Sequence, residues 1–267
     1  MTTKSRPAHS RATHSSRDVW ARLAGALGRG IAVVVALGIV LAILGLAVVG
    51  RHGGGAIQGW DNTVEAWFLH HRAHLVTVSK VIAKLGDAPL LGAISVAITI
   101  ILLAARQRMR ALIPLAAYLG GEFLVFVTRL YIHRPRPVTA NYPAPGAIPG
   151  VHETSYSFPS GHATAAAAVV VGLAGLAVIT WRTWLPWILG VLVALAIAAS
   201  RLVLGVHWFS DVAFGLAVGI PWGVAVTVIL ADLPWPLRWG RPAAVAVPRR
   251  PGTAAVVDRG KTWETPD

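Results

Sequence analysis

The chain has 267 residues, of which 55% are hydrophobic and only 13% charged, and it contains no cysteine. With a mean hydropathy of +0.62 it is too apolar for a soluble globule and reads as a membrane protein; the missing cysteine excludes disulfides and thiolate metal sites. The formal net charge of +13 sits in terminal arms and short turns and not on a basic face interleaved with aromatics, which argues against nucleic acid as a partner and for attraction to an anionic lipid leaflet.

In chain order, residues 1–25 form a basic arm, rich in Ser, His and Thr over its first 18 residues, that reads as disordered. An apolar run follows at 31–49; it is longer than a normal signal core and is expected to be retained. The segment 50–87 opens on Gly53-Gly54-Gly55 and continues through Trp60, Val64, Trp67 and Phe68, the spacing of an amphipathic helix lying at the membrane interface. His70, His71 and His74 include an i, i+4 pair but lack a third nearby ligand, so they read as part of that interfacial helix and not as a metal site. Further apolar runs occupy 88–105, 111–128, 163–180, 184–200 and 211–231, each near the roughly 20 residues that a helix needs to cross hydrocarbon. Between the third and fourth runs, 138–158 carries Pro143, Pro145 and Pro149 and reads as a long irregular loop. A Pro-, Gly- and charge-rich tail closes the chain. The fold class expected is all-α: a six-transmembrane-helix bundle over 26–235, flanked by disordered cytoplasmic segments at 1–25 and 236–267.

Orientation follows from the basic residues. Lys4, Arg6, Arg11, Arg17, Arg22 and Arg29 precede the first span; Arg106, Arg108 and Arg110 lie between the second and third; Arg182 lies between the fourth and fifth; Arg238, Arg241, Arg249, Arg250, Arg259 and Lys261 follow the sixth. All of these fall on one side, expected to be cytoplasmic at the plasma membrane. Both termini are then inside, and the loops 50–87, 129–162 and 200–210 outside. Most tryptophans, among them Trp181, Trp184, Trp187 and Trp208, fall near span ends and read as an aromatic belt.

Three short stretches carry chemistry: Arg129-x6-Arg136-Pro137, Pro159-Ser160-Gly161-His162 and Ser200-Arg201-x5-His207-x3-Asp211. All fall at the outer ends of spans three to six. A Ser-Gly pair opening an apolar helix supplies a cap and lets backbone N–H groups approach an anion at the positive helix end. Arg129, Arg136 and Arg201 add forked donors for phosphoryl oxygens. His207 and Asp211 are spaced to share a helix face, so the carboxylate can fix one imidazole nitrogen and leave the other as nucleophile. His162 is left as general acid for the leaving oxygen. With three cations and a helix terminus to hold the charge, and no acidic cluster outside, the chemistry calls for no metal and no cofactor. Glu122, two turns before Arg129, is either a buttress for the site or a group facing water in the bundle.

Taken together and in order, these motifs closely resemble those of the type 2 phosphatidic acid phosphatase superfamily, which includes the vanadium haloperoxidases. The resemblance covers about 31–231, with His152-Glu153 and Tyr156-Ser157-Phe158 leading into the second motif. It implies that His207 forms a phosphohistidine, that Asp211 orients it, that His162 protonates the leaving group, and that Arg129, Arg136, Ser160, Gly161 and Arg201 bind the phosphoryl oxygens. Where this chain has Arg129 the family usually has Lys, a planar fork in place of a point donor. The expected activity is metal-independent hydrolysis of a lipid phosphate or diphosphate at the outer leaflet. Undecaprenyl diphosphate is slightly favoured over phosphatidic acid or phosphatidylglycerol phosphate, and a lipid-linked phosphotransferase is the alternative.

Overall fold

The computed structural model describes residues 16–231. Eight helices follow in order: α1 (Ser16–Val48), α2 (Gln58–His71), α3 (Val76–Leu85), α4 (Ala88–Ala104), α5 (Leu112–Tyr131), α6 (Gly161–Trp181), α7 (Leu185–Val203) and α8 (Phe209–Ala231), with one 3-10 turn at Val138–Ala140. No strand occurs among the described residues, whose only β pairings are isolated bridges, Arg51 with Gly53 and Asn141 with His152. Each of the six apolar runs is therefore helical. Four helices, α5 to α8, are long and apolar enough to cross a membrane alone, and α3 with α4, bent by 44° at their junction, makes a fifth candidate. Within α1 the stretch Val35–Val48 is a shorter apolar helix.

Two boundaries differ from the sequence reading. Residues 16–25, expected in the basic arm, are the first turns of α1; Ala, Leu and Arg are good helix formers and continue a helix beyond its apolar part. Residues 1–15 and the whole tail 236–267 lie outside the described residues. The segment 50–87 holds two helices, α2 and α3, the second followed by α4 after Gly86 and Asp87.

The centre of the bundle is α6, which packs against α5, α7 and, most extensively, α8. Its buried face is built of small residues, Ala163 to Ala168, Gly172, Ala174 and Gly175. Opposite them α8 offers Gly219 and Gly223. A Cβ at Gly219 would lie 2.3 Å from the Thr164 carbonyl oxygen, and one at Gly223 2.5 Å from that of Ala168. Small residues on both helices let the backbones approach closely, the packing mode that replaces hydrophobic drive inside lipid. Larger side chains fill the space toward α5 and α1, where Ile113, Leu124, Val218, Trp222 and Val226 form one cluster. Trp222 thus lies in the core, outside any belt. On the other faces Phe123, Phe126, Ile188, Leu192 and Val228 are exposed, as expected of helices facing lipid.

This arrangement brings four helix ends to one end of the bundle: the C-termini of α5 and α7 and the N-termini of α6 and α8. The segment 132–160 folds back over that end, pinned where Ser157 N–H donates to the Arg134 carbonyl at 2.9 Å and Ser160 N–H to that of Asp211 at 3.0 Å.

Candidate active site

Each motif is placed by the end of a helix. Arg129 lies in the last turn of α5, Arg201 in the last turn of α7 and Asp211 in the first turn of α8. Ser160 is the N-cap of α6, its Oγ accepting from Ala163 N–H at 3.5 Å. Arg136 comes from the loop just beyond α5. A cavity of about 160 Å³ lies among them, walled by Arg129, Arg136, Gly161, His162, His207, Glu153 and Glu122. Arg201 reaches it indirectly, through an ion pair with Glu153, whose other oxygen lies 3.4 Å from Arg136. Ser160 and Asp211 stand behind the wall, buried.

The protonation of His207 can be read from its neighbours. Arg136 Nη1 lies 3.0 Å from His207 Nε2, and a guanidinium only donates, so Nε2 is the bare nitrogen. Nδ1 then carries the hydrogen and faces Asp211 Oδ2 at 3.4 Å. Burial, reinforced by the charges of Arg136, Arg201 and Arg129, holds the His207 imidazole well below its usual pKa. It is therefore neutral at neutral pH, with an unshared pair on Nε2 at the cavity wall. Arg136 itself is pushed down to about 10 by burial and by the neighbouring Arg129 and Arg201, against the pull of Glu153, and stays cationic.

The guanidiniums are held in place by backbone and by Ser155. Arg136 donates from Nε to the Ser155 carbonyl and from Nη1 to that of Val206, both at 2.8 Å, and from Nη2 to Ser155 Oγ at 3.0 Å. Arg129 donates to the Pro159 carbonyl at 3.2 Å and reaches Ser155 Oγ at 3.4 Å. Orienting both forks before any ligand arrives removes part of the entropy cost of binding.

A model of the PAP2 superfamily matches residues 110–235, the stretch that carries all three motifs. Phosphatidylglycerophosphatase B of Bacillus subtilis is 29% identical over 171 residues, 62% of this chain and 80% of that protein. Decaprenylphosphoryl-5-phosphoribose phosphatase of Mycobacterium tuberculosis is 32% identical over 127 residues, 45% of this chain and 61% of that protein. The crystal structure of a transmembrane PAP2 type phosphatidylglycerolphosphate phosphatase from Bacillus subtilis superposes with a TM-score of 0.62 at 25% identity, covering 76% of this chain and 96% of that one. Over residues 110–235 the chain is similar to the PAP2 superfamily, and over most of its length it shares the fold of a PAP2 type membrane phosphatase. It is a membrane protein and a phosphoric ester hydrolase.

All eight residues expected from the motifs gather at one end of the bundle, six of them on or next to the cavity and Ser160 and Asp211 just behind it. Glu122 belongs to the cavity wall. The three histidines near 70 lie elsewhere: His71 Nδ1 sits 2.7 Å from the Trp67 carbonyl and its ring stacks on Trp67. Trp208 is not a simple belt residue, since its Nε1 donates to the Pro135 carbonyl at 2.9 Å.

The motifs miss the support of Asp211. Arg134 bridges two carboxylates, donating to Asp211 Oδ1 at 2.8 Å and to Asp61 Oδ2 at 2.5 Å. Ser210 Oγ donates to Asp61 Oδ2 at 2.6 Å, and Ser157 Oγ to Asp211 Oδ2 at 2.7 Å. Arg134, Asp61 and Asp211 all have 0% exposure. The one sequence cue was the doubled Arg134-Pro135-Arg136-Pro137; nothing in the spacing ties either arginine to Asp61, 73 residues before Arg134.

Proposed function

We propose that the protein hydrolyses a membrane lipid phosphate or diphosphate through a phosphohistidine on His207. The observation that carries this reading is the placement of the bare Nε2 of His207 on a cavity whose other walls supply Arg129, Arg136 and His162. A phosphoryl group seated there accepts from Arg129, Arg136, Arg201 and the N-terminus of α6, with Glu153 released from the arginines as the anion replaces it. Two buried donors without partners, Nε of Arg129 and Nε of Arg201, add to the capacity for anion oxygens. Arg136 Nη1 turns from Nε2 to a phosphoryl oxygen, the freed Nε2 attacks phosphorus, the bond to the leaving oxygen breaks, and His162 protonates that oxygen; water then opens the phosphohistidine to free phosphate. Asp211 holds Nδ1–H throughout and stabilises the imidazolium as charge develops. The arginines and the helix end carry the charge of the transition state, so no metal enters the reaction.

The substrate side of this proposal rests on topology. Six spans with both termini in the cytoplasm put the cavity at the outer leaflet of the plasma membrane, where a polyprenyl diphosphate carrier is released, and this favours undecaprenyl diphosphate over phosphatidic acid and phosphatidylglycerol phosphate. The names of the relatives, one acting on a phosphatidylglycerophosphate and one on a decaprenyl-linked phosphate, keep both lipid classes in view. Purified protein in detergent, given the three lipids in excess EDTA, should release inorganic phosphate from at least one, with undecaprenyl diphosphate the fastest. Strict Mg²⁺ dependence would contradict the mechanism. Phosphate delivered mainly to an added lipid or sugar hydroxyl would make the protein a phosphotransferase.

A further inference from the structure

The bend between α3 and α4 is built against the ring of His162. Its first residue, Gly86, has room only for hydrogen: a Cβ there would lie 3.0 Å from His162 Cδ2 and 2.6 Å from Ile197 Cγ2. The next residue, Asp87, is the N-cap of α4, where an aspartate ordinarily accepts a hydrogen bond from the first turn of its own helix. It makes no such bond. Instead Asp87 Oδ1 lies 2.9 Å from His162 Nε2. The carboxylate gives up local capping for a contact with a residue 75 positions away. The other ring nitrogen, Nδ1, makes no hydrogen bond to any described residue.

His162 needs such a partner for electrostatic reasons. Arg129 and Arg136 line the same cavity, Arg201 stands behind it, and the ring is carried by the second residue of α6, at the positive end of a helix. Each of these opposes a protonated imidazole. The anionic groups around the cavity are Glu153, engaged by Arg136 and Arg201, Glu122 on α5 and Asp87. Asp87 alone among them is paired with the ring.

We infer that Asp87 is the positioning residue that makes His162 a general acid, a role that rests on the phosphatase reading above. Asp87 accepts the Nε2 hydrogen of the imidazolium and keeps it, while Nδ1 holds the proton that is transferred. When His207 Nε2 forms its bond to phosphorus and the phosphorus–oxygen bond breaks, the leaving oxygen takes the Nδ1 proton and His162 is left neutral, still donating to Asp87. The water that then attacks the phosphohistidine returns a proton to Nδ1. This is the carboxylate–imidazole logic of His207 and Asp211, used on the other side of the phosphoryl group.

Leaving groups separate this role from a structural one. An alkyl leaving oxygen, as in phosphatidic acid, depends on protonation, whereas p-nitrophenolate leaves without it. Asp87→Asn should lower kcat/KM for phosphatidic acid by on the order of 10- to 100-fold, part of the roughly 10²–10⁴ carried by a general acid. The loss with p-nitrophenyl phosphate should be at least about tenfold smaller, the general-acid share being absent from that substrate. Asp87→Glu should recover part of the loss with the lipid. Equal losses on both substrates, from misfolding or otherwise, or no loss on either, would overturn the inference. His162→Ala is the reference. If it shows the leaving-group asymmetry and Asp87→Asn does not, only the role of Asp87 fails; if His162→Ala hits both substrates equally, the acid assignment itself is wrong.

Discussion

Replacing Arg134 by alanine removes the guanidinium lodged between Asp61 and Asp211 and leaves both carboxylates buried at 0% exposure without their ion pair. Breaking a buried pair by deleting one partner costs about 3–5 kcal/mol, and here one deletion orphans two anions, which puts Arg134→Ala at the upper end of that range. That is a large share of a native state worth about 5–15 kcal/mol. At about 2–4 °C per kcal/mol for a domain of this size, the midpoint of thermal unfolding in detergent should fall by roughly 10–20 °C. Asp61→Asn retains the shape and the Arg134–Asp211 pair, so only charge-assisted bonds weaken, at about 1–3 kcal/mol. Tryptophan fluorescence during heating, with activity retained after heating as a second readout, ranks the two variants. A midpoint for Arg134→Ala within about 2 °C of the parent, well inside the drop expected from the same scaling, would refute the reasoning. So would an Asp61→Asn variant less stable than Arg134→Ala.

Arg129→Lys should keep most activity, because a cation remains beside Gly161, whereas Arg129→Ala should cost about 2–4 kcal/mol in kcat/KM, as for loss of a preorganised oxyanion donor; equal kinetics for the two variants would exclude a charge role. Glu153 titrates in a known direction: burial alone would raise it, but Arg136 and Arg201 outweigh burial and hold it below the usual carboxylate range. Its contribution to stability is therefore complete above the unfolded carboxyl value of about 4.3 and is lost as pH falls through the lower folded value. Glu153→Gln should flatten the acid limb of stability against pH, and an unchanged limb would contradict the ion pairs. For topology, a single Cys placed in 138–158 should react in intact cells or spheroplasts with a membrane-impermeant maleimide, while one in 106–110 should not. The reverse pattern would overturn the outer-leaflet assignment.

The helical apolar runs, and the helix ends that gather the eight motif residues, were legible because both are written in local signals. Long apolar runs mark helices whatever surrounds them, and Pro159-Ser160-Gly161-His162 ahead of such a run marks a capped helix end. What the sequence hid depends on contacts across the fold. Asp61 carries no motif, and its role as the buried partner of Arg134 arises only once α2 is folded against the start of α8. Asp87 likewise belongs to no motif, and its reach to His162 follows from the bend at Gly86. Arg201 is expected at the phosphate directly, whereas in the structure it pairs with Glu153, a residue noted only as part of the lead-in to the second motif. The start of α1 at Ser16 escaped a reading based on hydropathy, since helix propensity is not confined to apolar residues.

The covalent intermediate is the central claim, and trapping it is the most direct test. Protein mixed with a ³²P-labelled lipid phosphate and quenched in alkali within milliseconds should carry label that survives base and is lost in mild acid, the stability of a phosphoramidate. The label should map to the peptide containing His207 and vanish in His207→Ala, while Asp211→Asn retains part of it. Turnover of lipid phosphate by His207→Ala at a rate near that of the parent, or label found on any other residue, would contradict the account.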